Sequence, residues 1–253
     1  MKPTIIVGCG SGYHNEDLEA AQELLKDAKQ YQDLYTVILT PTRGMIPAKV
    51  VQSWMFLIGP ANAQIGRMFC QGLEVAAAYN SGVTTFLNDP MMGNARYILT
   101  LEDDNIPPHD GLLKLYESIC DCEAPCREHF VVVSGLYWMK GEGGQPMLFG
   151  DPDSDPMTFV PQIPKLGKDK KGTIQECNGT GMGFALFHSG LFRLEEFPKP
   201  WFETKQVGDE RDVVKGYTQD LYFMENLRKL GYRVAVDTRV KVGHYDWNTE
   251  QVW

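Results

Sequence analysis

Residues 97–101, Tyr-Ile-Leu-Thr-Leu, form an almost wholly apolar run that passes directly into Glu102-Asp103-Asp104. A run this apolar needs cover on both faces, which is the condition of a central strand in a parallel sheet. It therefore points to an α/β architecture, and it delivers three consecutive carboxylates to the carboxyl end of a buried strand. In open α/β sheets ligands bind at that edge. Carboxylates this close repel one another unless a cation joins them, and Mg²⁺ or Mn²⁺ favours such oxygen ligands. A solvated acidic turn ahead of Pro107-Pro108 is the plainer reading of the same residues.

The flanking pattern supplies the layers. Strands are predicted at 4–7, 35–39, 65–70 and 130–134, and helices at 16–30, 48–58, 74–87 and 110–119. This alternation implies a mostly parallel sheet. A further helix at 219–230 has Thr218 as its N-cap and Gly231 just past its end, with short strands at 233–236 and 239–242 behind it. Residues 176–187 read as strand around a glycine cluster. Residues 140–171 are rich in Gly, Pro, Asp and Lys and are expected to form a hairpin and a mobile lid.

The chain has 253 residues, enough for one large α/β domain or two small ones. Its net charge of −9 argues against general coating of nucleic acid, although a local basic patch stays compatible with it. No apolar run approaches the roughly 18 residues of a membrane helix, and 4–7 is too short for a signal-peptide core, so a cytoplasmic protein is expected. Six cysteines in a chain of this length do not suggest a disulfide scaffold.

Further residues carry candidate chemistry. Asp220 lies in the first turn of a predicted helix whose Phe223, Leu227 and Leu230 share one face. If that face turns inward, Asp220 is a candidate general base, and the helix N-terminus should keep it ionised. The alternative is a carboxylate that only complements the helix dipole. His244 follows a strand and Gly243, and reads either as a satisfied loop histidine or as a ligand. Three glycines in Gly179-Thr180-Gly181-Met182-Gly183 allow close approach of a ligand to the backbone, or a bulged strand. Cys120, Cys122, Cys126 and His129 place four soft ligands within ten residues, enough for a structural Zn²⁺. Their spacing matches no common finger, and simply reduced cysteines are the alternative. Lys165, Lys168, Lys170 and Lys171 form a basic loop, either solvated or touching an anionic acceptor. Trp138 and Trp201 suit stacking on an acceptor sugar or base, or packing in the core. Val7-Gly8-Cys9-Gly10-Ser11-Gly12 resembles the first glycine motif of methyltransferases. Ile6 and Thr40 stand where that motif wants acids, so an added strand and turn is the favoured reading.

In order along the chain come Thr40-Pro41-Thr42-Arg43, Ala78-Tyr79-Asn80, Glu102-Asp103-Asp104, Gly179-Thr180-Gly181, Pro200-Trp201-Phe202, Gln219-Asp220 and Gly243-His244. Together they resemble the GT-A fold glycosyltransferases, especially the large inverting family numbered two and its phage-type relatives. The resemblance covers roughly 35–245. It implies a GT-A-like, Rossmann-like α/β domain at 35–253 with a mostly parallel central sheet, a nucleotide-binding half at about 35–135 and a smaller mixed acceptor-side half at about 136–253. A strand–helix extension at 1–34 would pack on it.

The implied activity is metal-dependent transfer of a sugar from a nucleotide-sugar donor, of the UDP or GDP type, to a hydroxyl acceptor with inversion. Thr40, Pro41, Thr42 and Arg43 would line the nucleotide pocket. Glu102 and Asp103 would face the ribose or donor sugar, and Asn80, Gly181 and Met182 would lie with the donor. Asp104 and His244 would meet at one Mn²⁺ or Mg²⁺, Asp220 would be the catalytic base, and Trp138 and Trp201 would lie on the acceptor side. The acceptor class stays open among glycan, lipid-linked sugar, protein and modified DNA base. Three positions depart from the family pattern: Tyr79 replaces a frequent Arg, Gln219 the usual Glu, and Glu102 the first Asp of the DxD motif. The rival readings are a non-catalytic sugar-nucleotide-binding protein of the same fold and, more distantly, a SAM-dependent methyltransferase.

Overall fold

The computed structural model describes residues 34–59, 64–165, 167, 172–208 and 214–253. The predicted strand at 4–7, the helix at 16–30, the glycine turn at 8–12 and the lysines 168, 170 and 171 lie outside these residues.

In chain order the described elements are β1 (Thr36–Thr42), α1 (Ala48–Met55), β2 (Ile65–Gln71), α2 (Val75–Asn88), β3 (Tyr97–Leu101), β4 (Asn105–Ile106) and α3 (Gly111–Ser118). They continue with β5 (Phe130–Leu136), β6 (Leu148–Phe149), β7 (Ile174–Cys177), β8 (Gly179–Thr180) and β9 (Phe184–His188). The last are β10 (Lys205–Gly208), β11 (Val214–Tyr217), α4 (Gln219–Lys229), β12 (Arg233–Lys241) and β13 (Gly243–His244). Seven strands form one sheet in the order β2-β1-β3-β9-β5-β12-β7. Five of them, β2, β1, β3, β5 and β12, point the same way, and β9 and β7 run against them.

All five residues of β3 are buried, as its composition requires. Successive residues face opposite sides, so Ile98 joins one apolar cluster and Leu99 the other. The first cluster takes Tyr79, Val83 and Phe86 from α2 and Phe223, Met224 and Leu227 from α4. The second takes Val50 and Trp54 from α1 and Leu112 and Leu115 from α3. Helices thus cover both faces, and the carboxyl ends of β1, β3, β5 and β12 share one edge.

Two expectations change. The predicted strands 233–236 and 239–242 are the single strand β12, with a register irregularity between Asp237 and Lys241. Asp237 is fully buried, yet it accepts from the Arg239 backbone amide at 3.0 Å and pairs with its guanidinium at 2.7 Å. The satisfied charge lets the strand continue through a polar residue. The segment expected at 140–171 as a mobile lid is, over 148–162, paired to the rest of the domain. β6 pairs with β8, Gly150 N donates to Val160 O at 2.8 Å, and Gln162 N donates to Leu148 O at 2.8 Å. The buried Asn178 amide donates to Asp151 O at 2.8 Å and Thr158 O at 3.0 Å. Backbone pairing and one buried amide supply the anchorage that apolar periodicity would otherwise provide.

Among the described residues no helix is long and apolar enough to cross a membrane, and Cys70, Cys120, Cys122, Cys126 and Cys177 are free thiols.

Candidate functional site

The acid triplet turns out of β3 and enters β4, which pairs antiparallel with β13 so that His244 stands opposite Asn105. Tyr245 N donates to Asp104 O at 2.7 Å. This small ribbon brings His244 Nε2 to 3.6 Å from Asp104 Oδ2. The other ring nitrogen, Nδ1, lies 2.8 Å from Trp138 O. A carbonyl only accepts, so Nδ1 carries the proton, and in the neutral ring Nε2 presents a lone pair to a carboxylate oxygen. Two acceptors converging in this way fit a shared cation, with the carbonyl orienting the ring as it does in many metal sites. Lys140 Nζ already places positive charge there, 2.5 Å from the same Asp104 oxygen. Burial alone would raise the Asp104 pKa, but His244, in the form that also carries a proton on Nε2, and Lys140 outweigh it and hold the carboxyl below its usual range. Asn105 Nδ2 donates to Asp104 Oδ1 at 2.9 Å, while Asn105 Oδ1 is buried without a partner.

The two preceding acids are tied to neighbouring elements. Glu102 Oε1 accepts from the Tyr79 hydroxyl at 2.7 Å, so Tyr79 holds the first acid from α2. Burial, and then the Asp104 charge, push Glu102 up to about 7. Asp103 Oδ2 accepts from Arg43 N at 3.2 Å, joining the triplet to the end of β1. Thr42 and Arg43 stand at that edge, whereas Thr40 and Pro41 are buried within the strand.

Asp220 opens α4 and is 5 % exposed. Its Oδ1 accepts from Leu221 N at 2.8 Å, and Thr218 hydrogen-bonds the carboxylate. Burial raises its pKa above the ordinary aspartate value despite these bonds. That is the reverse of the effect expected from the helix end, because desolvation of the charged form outweighs the dipole here. The inward face is as expected, with Phe223 stacked on Phe202 at 4.8 Å and on Phe197 at 4.9 Å. The Asp220 charge reaches Glu102, Tyr79 and Tyr137.

The glycine cluster makes room for protein groups rather than for open space. A Cβ on Gly181 would lie 2.1 Å from Tyr137 Oη, and one on Gly183 would lie 2.6 Å from the Asn105 amide. Gly183 N donates to that tyrosine oxygen at 2.9 Å, and the Tyr137 ring meets His244 edge-on at 5.4 Å. Gly181→Ala should therefore displace Tyr137 and cost about 1–3 kcal/mol. A thermal melt lower by several degrees is the expected reading; an unchanged melt would mean that the hydroxyl moves freely.

Three expected contacts are engaged elsewhere. Asn80 Nδ2 donates to Ala76 O at 2.9 Å and Phe202 O at 2.7 Å, and Asn80 Oδ1 accepts from Phe202 N at 3.3 Å. Both ends of the amide are spent fastening α2 to the Phe202 segment. Trp201 is 5 % exposed and packs edge-on against Phe192, so it belongs to the core. The Met182 side chain is buried as well, and its carbonyl accepts from Thr100 Oγ1. Trp138 meets the site through its carbonyl, and its partly buried side chain packs against the first apolar cluster. Sequence reasoning missed Lys140, Tyr137 and Asn105. Each lies within a few residues of the carboxyl end of a central strand, and that position is the signal that could have found them.

Solved structures share this architecture. A197 from STIV matches with a TM-score of 0.56 at 16% identity, over 86% of this chain and 92% of that one. GalNAc-T7, crystallised with UDP, GalNAc and Mn²⁺, matches with a TM-score of 0.53 at 9% identity. The fold is that of a GT-A glycosyltransferase. The match to GalNAc-T7 covers 92% of this chain and 53% of that chain, so this chain spans about half of its length. No protein-family model and no curated protein matches the sequence.

Proposed function

We propose that this chain transfers a sugar, with inversion, from a nucleotide-sugar donor to a hydroxyl acceptor in a metal-dependent reaction. The observation that carries this reading is the convergence of Asp104 Oδ2 and His244 Nε2, 3.6 Å apart, at the ligand-binding edge of a GT-A sheet. These two residues would hold Mn²⁺ or Mg²⁺, which, when bound, neutralises a donor diphosphate and the departing nucleotide.

The chain's own groups divide the remaining work. Thr42, Arg43 and Asp103 form the β1–β3 edge for the nucleotide. Glu102, held by Tyr79, faces the ribose or sugar. Lys140 adds a positive charge beside Asp104 for the diphosphate. Asp220 takes the acceptor hydroxyl's proton as that oxygen bonds to the anomeric carbon. The bond from that carbon to the phosphate oxygen breaks on the opposite face, and its electron pair leaves with the nucleotide.

A donor screen by thermal shift tests the reading. A donor that binds only the native state stabilises it, by about 2.7 kcal/mol at 100 times its Kd. One UDP- or GDP-sugar should raise Tm in the presence of Mn²⁺ and lose that effect in chelator. A flat response across the nucleotide sugars would reject the reading. Donor binding without turnover on any hydroxyl acceptor would instead favour a binding protein.

A further inference from the structure

The segment between α3 and β5 has no regular structure, yet four soft ligands meet in it. Cys120, Cys122, Cys126 and His129 each offer one ligand atom, and these atoms lie within 4.8 Å of one another. It is the one such group among the described residues. A tetrahedral zinc bound to sulfur at about 2.3 Å sets sulfur–sulfur edges near 3.8 Å and sulfur–nitrogen edges near 3.6 Å. The Cys120–Cys126 sulfurs are 3.5 Å apart and the Cys122–Cys126 sulfurs 3.8 Å apart. His129 Nδ1 lies 3.1 Å from the Cys126 sulfur and 4.0 Å from that of Cys122. These separations bracket the edges of one coordination tetrahedron and exceed a disulfide bond.

The surroundings indicate what such a centre would do. Cys120 N donates to Phe130 O at 2.7 Å, closing the loop on itself. Its carbonyls are then sewn to the domain: Tyr97 donates to Cys120 O at 3.0 Å, His188 Nε2 lies 3.0 Å from Cys122 O, and Arg233 donates to Glu128 O at 2.6 Å. Arg127 returns a bond to Leu230 O at 2.9 Å. The loop thereby gathers the start of β3, the end of β9, the start of β12 and the end of α4. All of this lies at the edge of the sheet opposite Glu102, because β3 and β5 begin here and end at the acids. Cys120 lies in the core, Cys122 and Cys126 pack against it partly buried, and His129 is exposed, so the ligand group sits where the core meets solvent.

We infer that Cys120, Cys122, Cys126 and His129 bind one structural Zn²⁺ that locks the α3–β5 loop and, through it, the amino-terminal edge of the sheet. Four protein ligands leave no open position, which is the mark of a structural rather than a catalytic centre. Thiolates also select zinc over Mn²⁺ and Mg²⁺. This ion is therefore distinct in place and kind from any cation at Asp104.

The test uses the full chain, expressed without added metal and analysed for metal by plasma mass spectrometry. About one zinc per chain is expected, falling below about 0.2 in Cys126→Ser and unchanged in Asp104→Ala. Stripping zinc should lower Tm, and readdition of zinc, not Mn²⁺, should restore it. If the serine variant fails to fold, Co²⁺ added to the stripped wild-type chain answers the question, because tetrahedral thiolate ligation gives intense d–d absorption. A wild-type chain that binds neither ion, with its thiols freely reactive or joined in a disulfide, overturns the inference. So does full zinc retention in a Cys122→Ser, Cys126→Ser double variant.

Discussion

Asp220→Asn is expected to leave donor binding nearly intact and to cut turnover about 10²-fold or more. The substitution keeps shape and removes basicity. An inverting transfer needs one carboxylate to accept the acceptor's proton, and the acid triplet is committed elsewhere: Glu102 to Tyr79, Asp103 to Arg43 and Asp104 to Lys140 and His244. Asp220 stands on a helix held by stacked aromatic rings, so its position is rigid. Its raised pKa also predicts a pH profile. A base works only when deprotonated, and burial moves that threshold above the ordinary value of 3.8. Activity should accordingly fall on acidification at a higher pH than a solvated aspartate would give, and Asp220→Asn should abolish that limb. Near-native turnover of the variant on the true acceptor would move the base elsewhere, with Glu210 and Asp212, shortly before it in the sequence, the next to substitute.

Asp104→Asn should be comparably severe, at about 10²–10³-fold. It removes a charge that faces both His244 and Lys140. Lys140 makes the experiment sharper, because its ammonium lies on the oxygen that a divalent ion would use. If the two compete, Lys140→Ala should lower the Mn²⁺ concentration needed for half-maximal turnover, and chelator should abolish activity in both forms. Activity that survives chelation in the wild type but collapses in Lys140→Ala would instead make the lysine the working cation. Full activity of Asp104→Asn would remove this corner from the reaction altogether.

What could be read from the chain was what local chemistry dictates. The apolar run 97–101 had to be a covered strand, and residues Asp220 and His244 stood at a helix start and a strand end, which pattern alone locates. What could not be read depended on distant partners. The Asn80 amide meets Phe202, 122 positions away, and nothing near Asn80 announces it. The glycine cluster shows where a Cβ is missing, but not that a Tyr137 hydroxyl occupies the space beside Gly181. Lys140 sits in a glycine-rich stretch without periodicity, placed by the bridge between Trp138 and Pro146. The antiparallel insertion of β9 between β3 and β5 is likewise a long-range choice that alternating strands and helices do not encode.

The ribbon of β4 and β13 has a consequence for how the site meets its ligands. The spacing of Asp104 and His244 is set by main-chain pairing, with His244 opposite Asn105 and Trp253 N returning to His244 O at 3.0 Å. The entropy of bringing two residues 140 positions apart into register is therefore lost when the chain folds, not when a ligand arrives. Affinity at this corner should respond weakly to a conservative side-chain change at Ile106, whose place in the ribbon is held by the main chain. It should respond sharply to a one-residue insertion, which would turn the imidazole to the far side of the backbone.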